Sequence, residues 1–140
     1  MPKMTQSEIN EFLQDPLHAI VATNPADGPP QLSRVWFIYE DETLYINILH
    51  NSAKRRNLER DPRISVCIDG GRADVRYVTF YGSAQLFGPD TALQDEWRWR
   101  IIWQYNSTEE ATRRYYEAIK DMAATLIVLK PDRVIRDDFN

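Results

Sequence analysis

Lys54, Arg55, Arg56, Arg60 and Arg63 put five cations within ten residues, opposed in that window only by Glu59 and Asp61. Such a cluster can hold an anion without the whole chain being basic. Its setting sharpens the chemistry. The chain breaks at His50-Asn51-Ser52, where Asn51 or Ser52 can cap a short helix that runs to Arg60 and stops at Asp61-Pro62. A helix N-terminus offers unpaired N–H groups and a partial positive charge, and phosphate binds well there. Lys54 would add a mobile donor and Arg55 a forked one. The same residues also read as a solvated basic helix in which Arg55 pairs with Glu59 at i,i+4, a contact worth roughly 0.2–0.5 kcal/mol. The pattern leaves both readings open.

Other site chemistries find little support. His18 and His50 have no acidic or thiol partners at ligand spacing, so no metal site is expected. His50, at a strand end beside the basic helix, is the better functional candidate of the two, but the reading it favours is a solvated loop histidine. Cys67 is the only cysteine, which excludes an intrachain disulfide and suits a small buried hydrophobe in a reducing compartment. No Ser-His-Asp or Cys-His constellation and no glycine-rich nucleotide loop can be assembled. No catalytic side chain is assigned. That absence suits a protein whose chemistry is carried by a cofactor. Trp36, beside Arg34, could wall an aromatic ring system; taken alone it reads as core. Trp97, Trp99, Trp103 and Tyr105 could form a lid or a dimer contact, but aromatic residues at helical spacing usually serve packing.

Those residues must be positioned by a fold that the 140-residue length limits to one domain, residues 1–140. Hydrophobic residues at 43% and charged residues at 27% are a globular balance. The formal charge of -4 argues against a nucleic-acid partner, because that affinity rests on neutralising phosphates. Without a signal-peptide core or an apolar run near the roughly 20 residues that span a bilayer, the chain reads as cytoplasmic with no membrane partner.

Thr5 and Glu8 have capping-box spacing for a helix to about Gln14, ended by Pro16. Strands are expected over residues 17–23, 31–39, 43–49, 63–69, 75–86 and 124–129, with reversals at Asp27-Gly28, Asp41-Glu42 and Gly70-Gly71. Gly82 suits a bend or bulge, and Val134-Ile135 a short extension. Residues 90–105, carrying Leu93, Trp97, Ile101 and Trp103, and the stretch capped at residues 107–110 read as helices. Short strands joined by tight turns, with none followed by the long crossover helix that parallel pairing needs, lead to antiparallel pairing and a barrel as the expectation.

The run Asn51-Ser52-Ala53-Lys54-Arg55-Arg56-Asn57-Leu58-Glu59-Arg60-Asp61-Pro62-Arg63 resembles the pyridoxamine 5'-phosphate oxidase-like split-barrel superfamily, and within it the flavin/deazaflavin oxidoreductase branch. The likeness extends back through Ala22-Thr23 and residues 27–33 and forward through Tyr77 and residues 82–86, covering most of residues 17–88. It implies a mainly β, α+β fold: a six-stranded antiparallel split β-barrel, homodimeric, with a cofactor at each interface. The cofactor implied is the 5-deazaflavin F420 or, alternatively, FMN; some relatives bind haem or FAD. Its phosphate would lie beside the short helix, at Ser52, Lys54, Arg55 and Asn57. Its ring would lie along the second and third strands, at Ser33, Arg34, Val35, Trp36, Asn47 and Ile48. Many relatives have an arginine two residues before the lysine, and here that residue is Ser52, which shifts phosphate contacts toward Arg55 or Arg34. The implied activity is hydride transfer between the cofactor and a small conjugated substrate, with a non-catalytic flavin, deazaflavin or haem carrier as the alternative.

Overall fold

The computed structural model describes residues 3–137. Helix α1 (Gln6–Phe12) opens with the expected capping box: the Glu8 N–H donates to Thr5 Oγ1 at 3.1 Å and the Thr5 N–H to Glu8 Oε1 at 3.0 Å. Its apolar face, Ile9 and Phe12, is buried with Met4 and Leu13 and closes one end of the core.

Eight strands follow: β1 (Ala19–Thr23), β2 (Gln31–Val35), β3 (Ile38–Glu40), β4 (Thr43–Leu49), β5 (Arg63–Asp69), β6 (Tyr77–Phe87), β7 (Ala124–Leu129) and β8 (Arg133–Asp137). All pairings are antiparallel, in the order β2-β1-β5-β6-β7-β4-β3, with β8 added on β6. β2 and β3 end that path and are joined through Trp36-Phe37 rather than by a ladder, which is the split. Val21, Val35, Ile46, Val66, Phe80 and Ile127, one from each of six strands, meet in the same buried cluster. A sheet curled on itself in this way encloses its own core.

The split-barrel architecture matches the expectation, but its six strands become eight for two local reasons. The strand expected over residues 31–39 breaks at Trp36-Phe37, because the Phe37 N–H leaves the ladder and donates to the Tyr105 hydroxyl at 3.1 Å. The extension expected at Val134-Ile135 is a full strand registered on β6, Val134 opposite Phe80. Gly82 sits where β6 passes from β5 to β7, and a Cβ there would lie 2.9 Å from Leu129 Cδ1. The β3–β4 turn places Asp41 and Glu42 at φ 51° and 55°, the two left-handed residues of a tight hairpin that follows sheet twist.

Helix α2 (Ala53–Arg60) follows β4, while α3 (Ala92–Tyr105) and α4 (Glu109–Ile119) form a hairpin between β6 and β7. The face of α3 that packs is Gln94, Trp97, Arg98, Ile101 and Ile102; Leu93 and Trp103, expected on it, are exposed. Trp97 stacks on Tyr45 of β4 with ring centroids 3.6 Å apart and packs with Leu126 and Val128. Covered by the barrel core on one side and α3 on the other, β7 is buried at every residue. Among the described residues no helix is long and apolar enough to cross a membrane.

Candidate functional site

Ser52 caps α2, its hydroxyl accepting the Arg55 N–H at 3.2 Å. The five cations then divide into two groups. Arg55 donates Nε to the His50 carbonyl at 2.6 Å and Nη1 to Glu59 at 2.8 Å, so the i,i+4 pair is present. Arg63 is paired with Asp61, whose carboxyl it holds well below the usual carboxylate range. Arg56 reaches the Asn51 side chain and Arg60 the Asn24 carbonyl. Lys54 alone of the five has no hydrogen-bond or ion-pair partner among the described residues, and burial pushes its ammonium below the ordinary value of 10.5.

Lys54 lines a cavity of about 450 Å³ between the barrel and the α3–α4 hairpin. Seven of the ten expected residues meet there: Arg34, Val35 and Trp36 from the end of β2, Asn47 and Ile48 from β4, and Ser52 and Lys54 at the start of α2. Arg34 is likewise without a partner among the described residues. Among the described residues no aspartate or glutamate lines the cavity. Two cations without partners or carboxylates beside them among the described residues, next to a helix N-terminus, give this wall a positive field that favours an anion. A groove of about 570 Å³ between α1, β3 and α3 lacks that property, because its Arg100 is paired with Glu40 at 2.8 Å.

Ser33, Arg55 and Asn57 lie outside the cavity wall. The Ser33 hydroxyl is buried without a partner among the described residues. Asn57 is 8% exposed and donates Nδ2 to Thr23 Oγ1 at 3.1 Å and Gln31 Oε1 at 3.3 Å, tying α2 to β1 and β2. A buried hydrogen-bond partner lost in this way costs about 1–3 kcal/mol. Asn57→Ala is therefore expected to lower unfolding free energy by about 2 kcal/mol in urea denaturation while leaving ligand affinity of the folded fraction within about twofold. A loss of affinity without loss of stability would return Asn57 to the ligand.

The sequence reading missed the opposite wall. Ile101 and Ile102 of α3, Tyr115 and Ile119 of α4, and Met122 supply apolar surface. His18, just before β1, lines the cavity, whereas His50 does not: its Nδ1 is 2.9 Å from Thr125 Oγ1. Arg98 is 4% exposed, and its Nη2 donates to the carbonyls of Ile119 at 2.7 Å and Met122 at 2.6 Å, the C-terminal end of α4. Cations are favoured at that end of a helix dipole. An arginine one residue after Trp97 and three before Ile101, inside a buried stripe, was the available signal.

Trp36 is held by aromatic neighbours from the α3–α4 hairpin. Tyr105 stacks on it with centroids 4.7 Å apart and planes 4° from parallel, and Tyr115 tilts against it at 5.3 Å. The Tyr105 hydroxyl accepts the Phe37 N–H and donates to the Leu17 carbonyl. Burial pushes its pKa up to about 12, so it remains a neutral donor near neutral pH. The α3–α4 hairpin is thus tied to Trp36 and to the backbone at Leu17 and Phe37 across the cavity.

A sequence model described as pyridoxamine 5'-phosphate oxidase matches residues 5–136. Among solved structures, a conserved hypothetical protein from Mycobacterium tuberculosis is similar with TM-score 0.76 and 24% identity, over 96% of this chain and 85% of that one. An F420 reductase is similar with TM-score 0.69 and 20% identity, over 96% and 98%. A haem storage protein from Vibrio cholerae is similar with TM-score 0.67 and 21% identity, over 94% and 93%. At these identities the likeness is one of fold.

Proposed function

Because the chain belongs to the pyridoxamine 5'-phosphate oxidase family, whose wider superfamily binds flavins or deazaflavin, we propose that it is an oxidoreductase using F420, with FMN as the alternative, to reduce or oxidise a small conjugated molecule. The observation that carries this reading is the division of the five cations on and just after α2: Arg55, Arg56, Arg60 and Arg63, which have partners, stay off the cavity wall, and Lys54, which has none among the described residues, lines it together with Arg34. The donor set fits a ribityl phosphate. Lys54, Arg34, the Ser52 hydroxyl and the first N–H groups of α2 would hold the phosphate, and Val35, Trp36 and Ile48 would bear the ring. When bound, the ring supplies the hydride. The protein's part is to orient it and, through Ile101, Ile102 and Tyr115, to exclude water from its exposed face. Titration of the purified protein with F420 and with FMN tests the assignment; saturable binding of neither would remove it.

A carrier without turnover would show the same binding and no acceptor reduction. A haem-binding function would have to use His18, since His50 is committed to Thr125 and outside the cavity. A Soret band that survives His18→Ala would exclude that ligation.

The homodimer belongs to the same proposal. Ile20 is 41% and Leu32 65% exposed on the outer face of β1 and β2, and Ile20 lies opposite Arg34 in the ladder, so this apolar patch adjoins the cavity. Covering it with a second copy would complete the site. Leu32→Glu is expected to convert a dimer to a monomer in sedimentation analysis and to weaken cofactor binding at least tenfold; an unchanged oligomeric state would place the interface elsewhere.

A further inference from the structure

Two donors on the cavity wall are left over once the phosphate end is accounted for. Arg98 spends its terminal nitrogens on the carbonyls that end α4, yet its Nε is buried with no partner among the described residues. The Nδ2 of Asn47 is buried and unpaired in the same sense. Both residues line the one cavity. The strand face that carries Asn47 also carries Tyr45, which stacks on Trp97, the residue before Arg98, so the two donors occupy facing surfaces of β4 and α3. A purely structural role for Arg98, tying α4 to α3, explains its terminal nitrogens and leaves Nε and Asn47 unexplained. Unpaired buried donors call for an acceptor, and the charge of Arg98, with no carboxylate beside it among the described residues, favours an ionised one. An ionised carboxylate or phosphate is such a group, and each oxygen can take a separate N–H.

We propose that Arg98 and Asn47 form a second polar subsite, distinct from the phosphate end at Lys54, Ser52 and Arg34, which receives the oxyanion of the molecule that reacts beside the cofactor. The substrate is on this account an anionic one. The inference rests on the cofactor reading for what that molecule meets, and on the two unpaired donors for how it is held.

Calorimetric titration with nicotinate, its uncharged amide nicotinamide and inorganic phosphate tests it in the purified protein, with and without saturating FMN. The unsubstituted protein should bind nicotinate or phosphate more tightly than nicotinamide. Arg98→Lys keeps a cation able to reach the α4 carbonyls, so its melting temperature should stay near that of the unsubstituted protein while affinity for the preferred anion falls about tenfold. Asn47→Ser should weaken the same anion and carries the test if the Arg98 variant fails to fold. Nicotinate binding that phosphate does not displace identifies a carboxylate; displacement identifies a phosphate ester. No preference for the anions over nicotinamide, or unchanged anion affinity in both variants, would overturn the subsite. So would an equal loss of FMN and F420 affinity in Arg98→Lys, which would assign Arg98 to the cofactor. Anion binding that follows the prediction in a protein that binds neither cofactor would remove the cofactor reading and leave the subsite standing.

Discussion

Lys54→Ala is expected to weaken binding of F420 or FMN by roughly ten- to hundredfold, the loss of a charge-assisted hydrogen bond worth about 1.5–3 kcal/mol. Trp36 lies in the cavity and makes intrinsic tryptophan fluorescence a direct probe. Arg55→Ala is the informative control. Its guanidinium already serves the His50 carbonyl and Glu59 and stays off the cavity wall, so the expected loss is within about threefold. Equal losses in the two variants would mean that Arg55 abandons its partners for the ligand. The pH dependence separates charge from shape. Burial lowers the Lys54 pKa from 10.5, so in the free protein the ammonium discharges earlier than an exposed lysine would. Bound phosphate favours the charged form, and affinity should therefore fall as pH rises through the Lys54 value of the free protein. Lys54→Arg, which stays charged, should bind across that range with a flatter profile.

The basic end of this cavity was its legible part because its signals are local. A capping serine, four cations and a terminating Asp-Pro lie within about three helical turns, and helix formation depends on such neighbours. The same locality made the strands readable, down to the reversal at Asp41-Glu42 and the bend at Gly82. What escaped the sequence depends on partners far along the chain. The break at Trp36-Phe37 exists because a hydroxyl 68 residues later takes the Phe37 N–H. Arg98 stands between two tryptophans, and what it does depends on carbonyls that α4 turns onto it from some 21 to 24 residues away. Asn57 stands in the motif that suggests the phosphate, yet its side chain faces β1 and β2 because α2 must bury Leu58 and cannot direct every polar residue to one side. Residues on one helix thus divide between anchoring it and lining the cavity, a division that periodicity alone does not reveal.

Tyr105→Phe should lower unfolding free energy by about 2–3 kcal/mol, although it removes one oxygen and keeps the ring stacked on Trp36. The hydroxyl joins two segments that converge on the cavity: it accepts the N–H of Phe37, next to Trp36, and donates to the carbonyl of Leu17, next to His18. Without it both backbone groups lose a partner in a half-buried setting, and the unpaired groups account for the loss rather than any cavity. The sign of the pH dependence follows from the raised pKa. Tyrosine ionises near 10.0 in the unfolded chain and at about 12 in the folded one, so the stabilisation from the neutral hydroxyl is fully present below pH 10 and is lost as pH rises toward 12. The difference in stability between the unsubstituted protein and Tyr105→Phe should therefore narrow over that interval in urea denaturation. Cofactor affinity is expected to fall only a few-fold, because the stacked pair still presents the same indole face to the cavity. An affinity collapse at unchanged stability would have the opposite meaning: the hydroxyl would be reaching the ligand directly, and the break between β2 and β3 would serve to free it for that contact rather than to fix the barrel's edge.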